Sequence, residues 1–170
     1  MSLEPFIQQI VLTDEAATVS FARALARLAE PGDVIALRGT LGVGKSVFAR
    51  AFIRQLTSPL EEVPSPTFTL VQTYEGVMVE GEAAELYHYD FYRLENADDA
   101  YELDIEEAFS DGISLIEWPE RIEALLPSDH LEVKISQGER EGSRQLVLEA
   151  TGSWETRLTQ GCDGSCGNHA

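Results

Sequence analysis

Apolar residues divide this chain into brief runs suited to strands and stripes at helical spacing. Phe6 to Leu12 reads as a short strand. Thr13 or Asp14 can cap the helix that follows through about Glu30, with an apolar stripe of Ala17, Phe21, Ala24, Leu25 and Leu28. After the turn Pro31-Gly32-Asp33, Val34 to Leu37 is a compact apolar run of the kind found in buried central strands. A Gly-rich loop follows at once, and Ser46 to Leu56 is helical in pattern. Thr67–Tyr74 and Glu85–Tyr92 are rich in aromatic and β-branched residues and predict two strands around a Gly-containing turn, an antiparallel excursion. Ala97–Phe109 has a helical but acidic pattern, Ile113–Ile116 another short strand, and Pro119–Leu126 a helix begun by proline. Leu131–Ile135 and Gln145–Glu149 close the pattern as strands.

At 170 residues the chain suits one domain able to bury a core without disulfides or structural metals. The stretch 1–150 carries all the strand and helix patterns; 151–170 is expected to be a flexible, dispensable tail. Its Cys162 and Cys166, with His169, provide three of the four ligands a structural zinc normally takes, so a frayed Gly-rich end is the expectation. Apolar runs stay far below the roughly 20 residues of a bilayer span. No Lys or Arg precedes Arg23, so the basic region of a signal peptide is lacking; a soluble, cytoplasmic protein is expected. The net charge of −18 repels polyanions and argues against a direct grip on nucleic acid. The same repulsion argues for a monomer. From Glu95 to Glu107 seven acids occur without a Lys or Arg, a solvated face or a docking surface for a basic partner.

The loop Gly39-Thr40-Leu41-Gly42-Val43-Gly44-Lys45-Ser46 matches Gly-x4-Gly-Lys-Ser between a strand and a helix. Its glycines let backbone N–H groups turn inward around phosphates, Lys45 adds a full charge, and Ser46 offers a hydroxyl to Mg2+. With Val47 and Thr67 these residues form the expected nucleotide site. The fold to expect is a three-layer α/β P-loop domain with a mostly parallel central sheet. Phosphoryl transfer needs carboxylates near the metal. Asp90 and Glu117 each end an apolar strand; one can hold Mg2+ while the other orients or deprotonates water, and spacing does not assign the roles. Thr67, in Ser65-Pro66-Thr67-Phe68, can reach the metal or γ-phosphate. Neither Asn96 nor Asn168 begins an Asn-Lys-x-Asp guanine signature, so ATP is the expected nucleotide. His88 reads as a hydrogen-bonded structural residue within its strand. A small-molecule kinase is the rival, although such enzymes gather several arginines around their substrates.

Four segments, Gly39–Ser46, Ser65–Phe68, His88-Tyr-Asp-Phe-Tyr-Arg-Leu94 and Ile116-Glu-Trp-Pro119, in that order and at those intervals, resemble the TsaE family, formerly YjeE. The resemblance covers about residues 10–150. It implies an ATPase needed for threonylcarbamoyl-adenosine (t6A) at position 37 of tRNAs reading codons that begin with A, working with TsaB and TsaD and touching tRNA only through that pair. It further implies that Lys45 contacts phosphates, that Ser46 and Glu117 ligate magnesium, and that Asp90 lies at the γ-phosphate as base or water-positioner. Glu15 matches a family position near the nucleotide. Ser46 replaces the family's more usual Thr and keeps the hydroxyl. Arg93 is open to reading as a catalytic arginine, a packing residue or a partner contact.

Overall fold

Val34, Ile35, Ala36 and Leu37 are all buried, which places their strand at the middle of a sheet covered on both faces. The computed structural model describes residues 4–162. Its strands are β1 (Phe6–Leu12), β2 (Val34–Arg38), β3 (Val71–Val77), β4 (Ala83–Asp90), β5 (Ile113–Glu117), β6 (Leu131–Gln137) and β7 (Arg144–Ala150). They form one sheet in the order β1-β7-β6-β2-β5-β4-β3. The four central strands β6-β2-β5-β4 are parallel. Antiparallel pairing flanks them on both sides, β3 beside β4 as expected and the β1–β7–β6 meander at the opposite edge.

Period-two alternation sorts the side chains into two cores. Ile35, Leu37, Leu86, Ile113 and Leu115 pack beneath α1 (Glu15–Ala26) and α2 (Lys45–Leu56). Val34, Tyr87, Tyr89 and Ile116 face α3 (Ile105–Asp111) and two 3-10 segments, Ala97–Leu103 and Pro119–Leu125. Stacked rings of Tyr87, Tyr89 and Phe91, with centroids 6.0 and 5.1 Å apart, run down this second face. The result is the three-layer α/β architecture expected from the segment order.

Local chemistry explains where element boundaries depart from expectation. Asp14 caps α1, its carboxylate accepting from Ala17 N at 2.8 Å. The α-helix stops at Ala26, and the chain continues to Ala29 through tighter bonds, Leu28 N to Leu25 O and Ala29 N to Ala26 O. Residues 67–70 are a turn rather than the start of β3: Leu70 N donates to Pro66 O at 2.7 Å, and Leu70 itself is left-handed at φ 68°. The acidic 97–109 segment is broken at Asp104, also left-handed at φ 59°, into a 3-10 piece and α3. The proline-led helix is 3-10, kinked at Ile122.

The largest correction concerns the tail. Ser153–Cys162 forms helix α4, whose Trp154 and Leu158 are buried in the first core. Arg157 donates to both carboxylate oxygens of Asp33 at 2.7 Å and to Leu28 O at 2.7 Å, and its guanidinium lies 4.0 Å from the Trp154 ring. A flexible, dispensable tail therefore does not describe residues 153–161, because an apolar pair one helical turn apart and a buried ion pair tie them down. Residues 163–170, with Cys166 and His169, lie outside the described residues. Among the described residues no helix is long and apolar enough to cross a membrane.

Candidate functional site

A parallel α/β sheet offers its site beyond the carboxyl ends of its strands, where the loops gather. Here β2 runs into the Gly-rich loop, and its neighbours β5 and β4 end on Glu117 and Asp90. The β4–β5 register sets Asp90 directly opposite Glu117, and the β2–β5 register sets Leu37 opposite the same residue. Two acids far apart in sequence thus converge on the first turn of α2.

The loop's glycines have separate reasons. A Cβ on Gly39 would lie 2.6 Å from Ile135 O, so β6 permits only glycine there. Gly42 and Gly44 take left-handed φ of 77° and 118°. Gly44 caps α2 without a side-chain bond, leaving its first backbone N–H groups to an external anion. Val43 buries its side chain in the core and so offers the loop only its backbone.

A cleft of about 260 Å³ is lined by Leu41, Gly42, Gly44, Lys45, Ser46, Val47, Ser65, Thr67, Asp90, Glu117 and Trp118. Lys45 donates from Nζ to Gly39 O at 2.5 Å, and the amine stands 3.7 Å from the centre of the Trp118 ring. Burial holds the Lys45 amine below its ordinary range, opposed by the charges of Glu117, Glu120 and Asp90. Trp118 reaches this position because its backbone is left-handed at φ 60°, and it packs against Tyr92. Ser46 Oγ donates to Glu117 Oε1 at 3.2 Å. Asp90 accepts from Thr67 Oγ1 at 3.1 Å and from Tyr92 N at 3.0 Å, which fixes both its oxygens. The turn at 67–70 is what brings Thr67 to Asp90.

Among the described residues no cluster of three or more His, Cys, Asp or Glu side chains is placed to hold a metal alone. Magnesium does not need one, since it binds through one or two carboxylates together with substrate phosphates and water. A hydroxyl and a carboxylate oxygen 3.2 Å apart, both hard oxygen donors, fit that habit.

Of the expected residues, Gly39, Thr40 and Val43 of the loop are not part of the cleft lining, and Glu15 and Arg93 lie apart from it. Glu15 is exposed in the first turn of α1 and is not part of the lining. Arg93 is also exposed, its guanidinium 4.5 Å from the ring of Phe68, a packing contact outside the cleft. Two cations that sequence reasoning passed over support the loop instead. Arg144, at the start of β7, donates from Nε to Val43 O at 2.6 Å. Arg38, the last residue before Gly39, bonds Glu132 and donates to Glu123 at 2.8 Å, tying the loop's stem to β6 and to the 3-10 segment after Glu117.

This second cluster predicts a pH response. Burial pushes the Glu132 carboxyl up, but hydrogen bonds from His130 and Arg38 outweigh it and bring the group down to about 2 from an ordinary 4.5. A depressed carboxyl contributes stability that is present above pH 4.5 and lost as pH falls toward 2. The bond to Glu132 raises His130 above its ordinary 6.5, so that group's contribution is complete below pH 6.5 and fades as pH rises through the folded value. Urea unfolding of Glu132→Gln beside the wild type is expected to show the gap between them closing from pH 4.5 down to 2; an unchanged gap across that window would refute it.

A family model described as threonylcarbamoyl adenosine biosynthesis protein TsaE matches residues 12–146. A tRNA threonylcarbamoyladenosine biosynthesis protein TsaE from Rickettsia bellii is 40% identical over 127 residues, 75% of this chain and 85% of the relative. The protein of the same name from Bacillus subtilis is 36% identical over 138 residues, 80% and 81% of the two chains. Among solved structures, YdiB of Bacillus subtilis superposes with a TM-score of 0.74 at 27% identity, covering 95% of this chain and 98% of that one.

Proposed function

Since the chain belongs to the TsaE family, and so has a role in threonylcarbamoyladenosine biosynthesis on tRNA, we propose that it is a Mg2+-dependent ATPase acting on a TsaB–TsaD complex. In this reading it supports repeated rounds of t6A formation at position 37 of tRNAs that read codons beginning with A. The observation that carries it is the meeting of Lys45, Ser46, Asp90 and Glu117 at the mouth of the Gly39–Ser46 loop.

The backbone N–H groups of the loop and of the first turn of α2 cradle the β- and γ-phosphates, and the Lys45 amine turns from Gly39 O toward them. Ser46 and Glu117 would hold the magnesium ion, which would supply charge neutralisation on the transferred phosphoryl group. Asp90, kept in orientation by Thr67 and Tyr92, positions the attacking water or takes its proton. In this reading Thr40 and Glu15, both outside the cleft lining, contribute only at the outer edge of the nucleotide. The charge of −18 fits a cytoplasmic protein, monomeric alone, that meets tRNA only through its partners.

Among the described residues Lys45 is the sole cation lining the cleft, which disfavours a kinase that must also grip a phosphorylated acceptor. The deciding experiment measures phosphate release from ATP by this protein, alone and with TsaB–TsaD, beside t6A formation on tRNA over several turnovers. Slow release alone, acceleration by the complex, and modification that stops after about one cycle without this protein are expected. Release that instead waits for a small-molecule acceptor would replace this reading with the kinase.

A further inference from the structure

His88 sits in the middle of β4, two residues before Asp90, on the sheet face that carries Leu86, Leu115 and Glu117. Its Nε2 lies 2.8 Å from Glu117 Oε2, and both side chains are almost wholly buried, at 2% and 4% exposure. The other oxygen of the same carboxylate, Oε1, accepts from Ser46 Oγ. Glu117 is therefore held at two points, one oxygen by each neighbour. It cannot rotate about its last torsion without breaking the bond to His88, and that bond is what keeps Oε1 turned to Ser46.

From this geometry we infer that His88 is a positioning residue for the phosphate site: it orients Glu117 so that one oxygen stays beside the Ser46 hydroxyl where magnesium is to be held. The inference rests on the reading of Ser46 and Glu117 as the magnesium donors. The tautomer with its proton on Nε2 lets His88 donate to Oε2 while Oε1 accepts from Ser46. Nδ1 is buried with no hydrogen-bond partner among the described residues. Among the described residues the one side-chain hydrogen bond of this buried ring is therefore the one to Glu117. Metal-ligating groups are commonly oriented by partners of this kind, in the same way that the strand register here, rather than any local motif, brings His88 to Glu117.

The test compares wild type, His88→Leu and His88→Gln. Leucine fills the space without a donor, whereas the glutamine amide can place an N–H near the position of Nε2. Mn2+ serves as the probe, followed by electron paramagnetic resonance in the presence of ADP, and ADP affinity is measured separately by calorimetry with all metal chelated. His88→Leu is expected to weaken Mn2+ binding by roughly 10- to 100-fold, with metal-free ADP affinity within about twofold of wild type and substantial recovery in His88→Gln. Mn2+ held by His88→Leu as tightly as by the wild type would overturn the inference. So would His88→Gln falling as far as His88→Leu, since a purely structural role has no use for the restored donor. A wild-type protein that binds ADP but forms no Mn2+–ADP complex would instead remove the magnesium reading on which the inference stands.

Discussion

Lys45→Ala is expected to lower ATP hydrolysis by roughly 10²- to 10³-fold, the scale on which removal of one preorganised charge or donor acts on a developing transition state. Among the described residues Lys45 is the only cation in the cleft lining, so none of the other lining residues substitutes for it, whereas the acids Asp90 and Glu117 remain. Nucleotide affinity should fall less than the rate, because the backbone N–H groups of Gly42, Gly44 and the first turn of α2 are untouched. Folding should survive: the amine bonds only Gly39 O and overlies Trp118, and burial already disfavours its charged form. Phosphate release and unfolding midpoints measured together check both parts. Hydrolysis retained within about threefold in a folded variant would move the phosphate chemistry away from this loop, against the proximity argument for it.

The parts of the site legible in the sequence are those whose chemistry is local. Gly39 to Ser46 can be read because Gly42 and Gly44 answer backbone requirements within the loop and the whole pattern stands between a strand and a helix, and Asp90 and Glu117 because each terminates an apolar run; the close approach of Ile135 O that holds Gly39 to glycine is tertiary. The parts that were not legible depend on register. That Asp90 faces Glu117, that His88 reaches past Leu115 to Glu117, and that Arg144 closes on Val43 from β7, two strands from β2, are consequences of strand order, which no single segment encodes. The β-branched and aromatic neighbours of Thr67 favour a strand, and the turn closed by Leu70 N on Pro66 O overrides that propensity. At the ends of the sheet, the β3–β4 excursion was visible in its aromatic strands. The meander β1–β7–β6 was visible only as separate strands, because nothing in Phe6–Leu12 says that it pairs with Arg144–Ala150.

Helix α4 was readable in principle, since Trp154 and Leu158 stand four residues apart on one face with Arg157 between them, but Gly-rich composition beyond them suggested a tail. Its weight in the fold gives the largest expected effect on stability. Trp154→Ala should cost about 3–5 kcal/mol, the usual range for emptying a buried aromatic site. Against a total of about 5–15 kcal/mol for a domain, that is a large share. The side chain is 1% exposed against the first core, and it also carries the guanidinium of Arg157. Shortening the chain after Thr151 should be worse, because it removes the buried Leu158 as well as Trp154 and takes away the two charged hydrogen bonds that Arg157 gives Asp33. The two losses share contacts and will not add. Asp33 precedes β2 while the Gly-rich loop follows it, so α4 braces the end of the sheet opposite the cleft. Protein carrying Trp154→Ala should therefore bind ATP normally wherever it remains folded, with its urea midpoint alone displaced. A midpoint equal to that of the wild type would return residues 153–161 to the status of a dispensable tail.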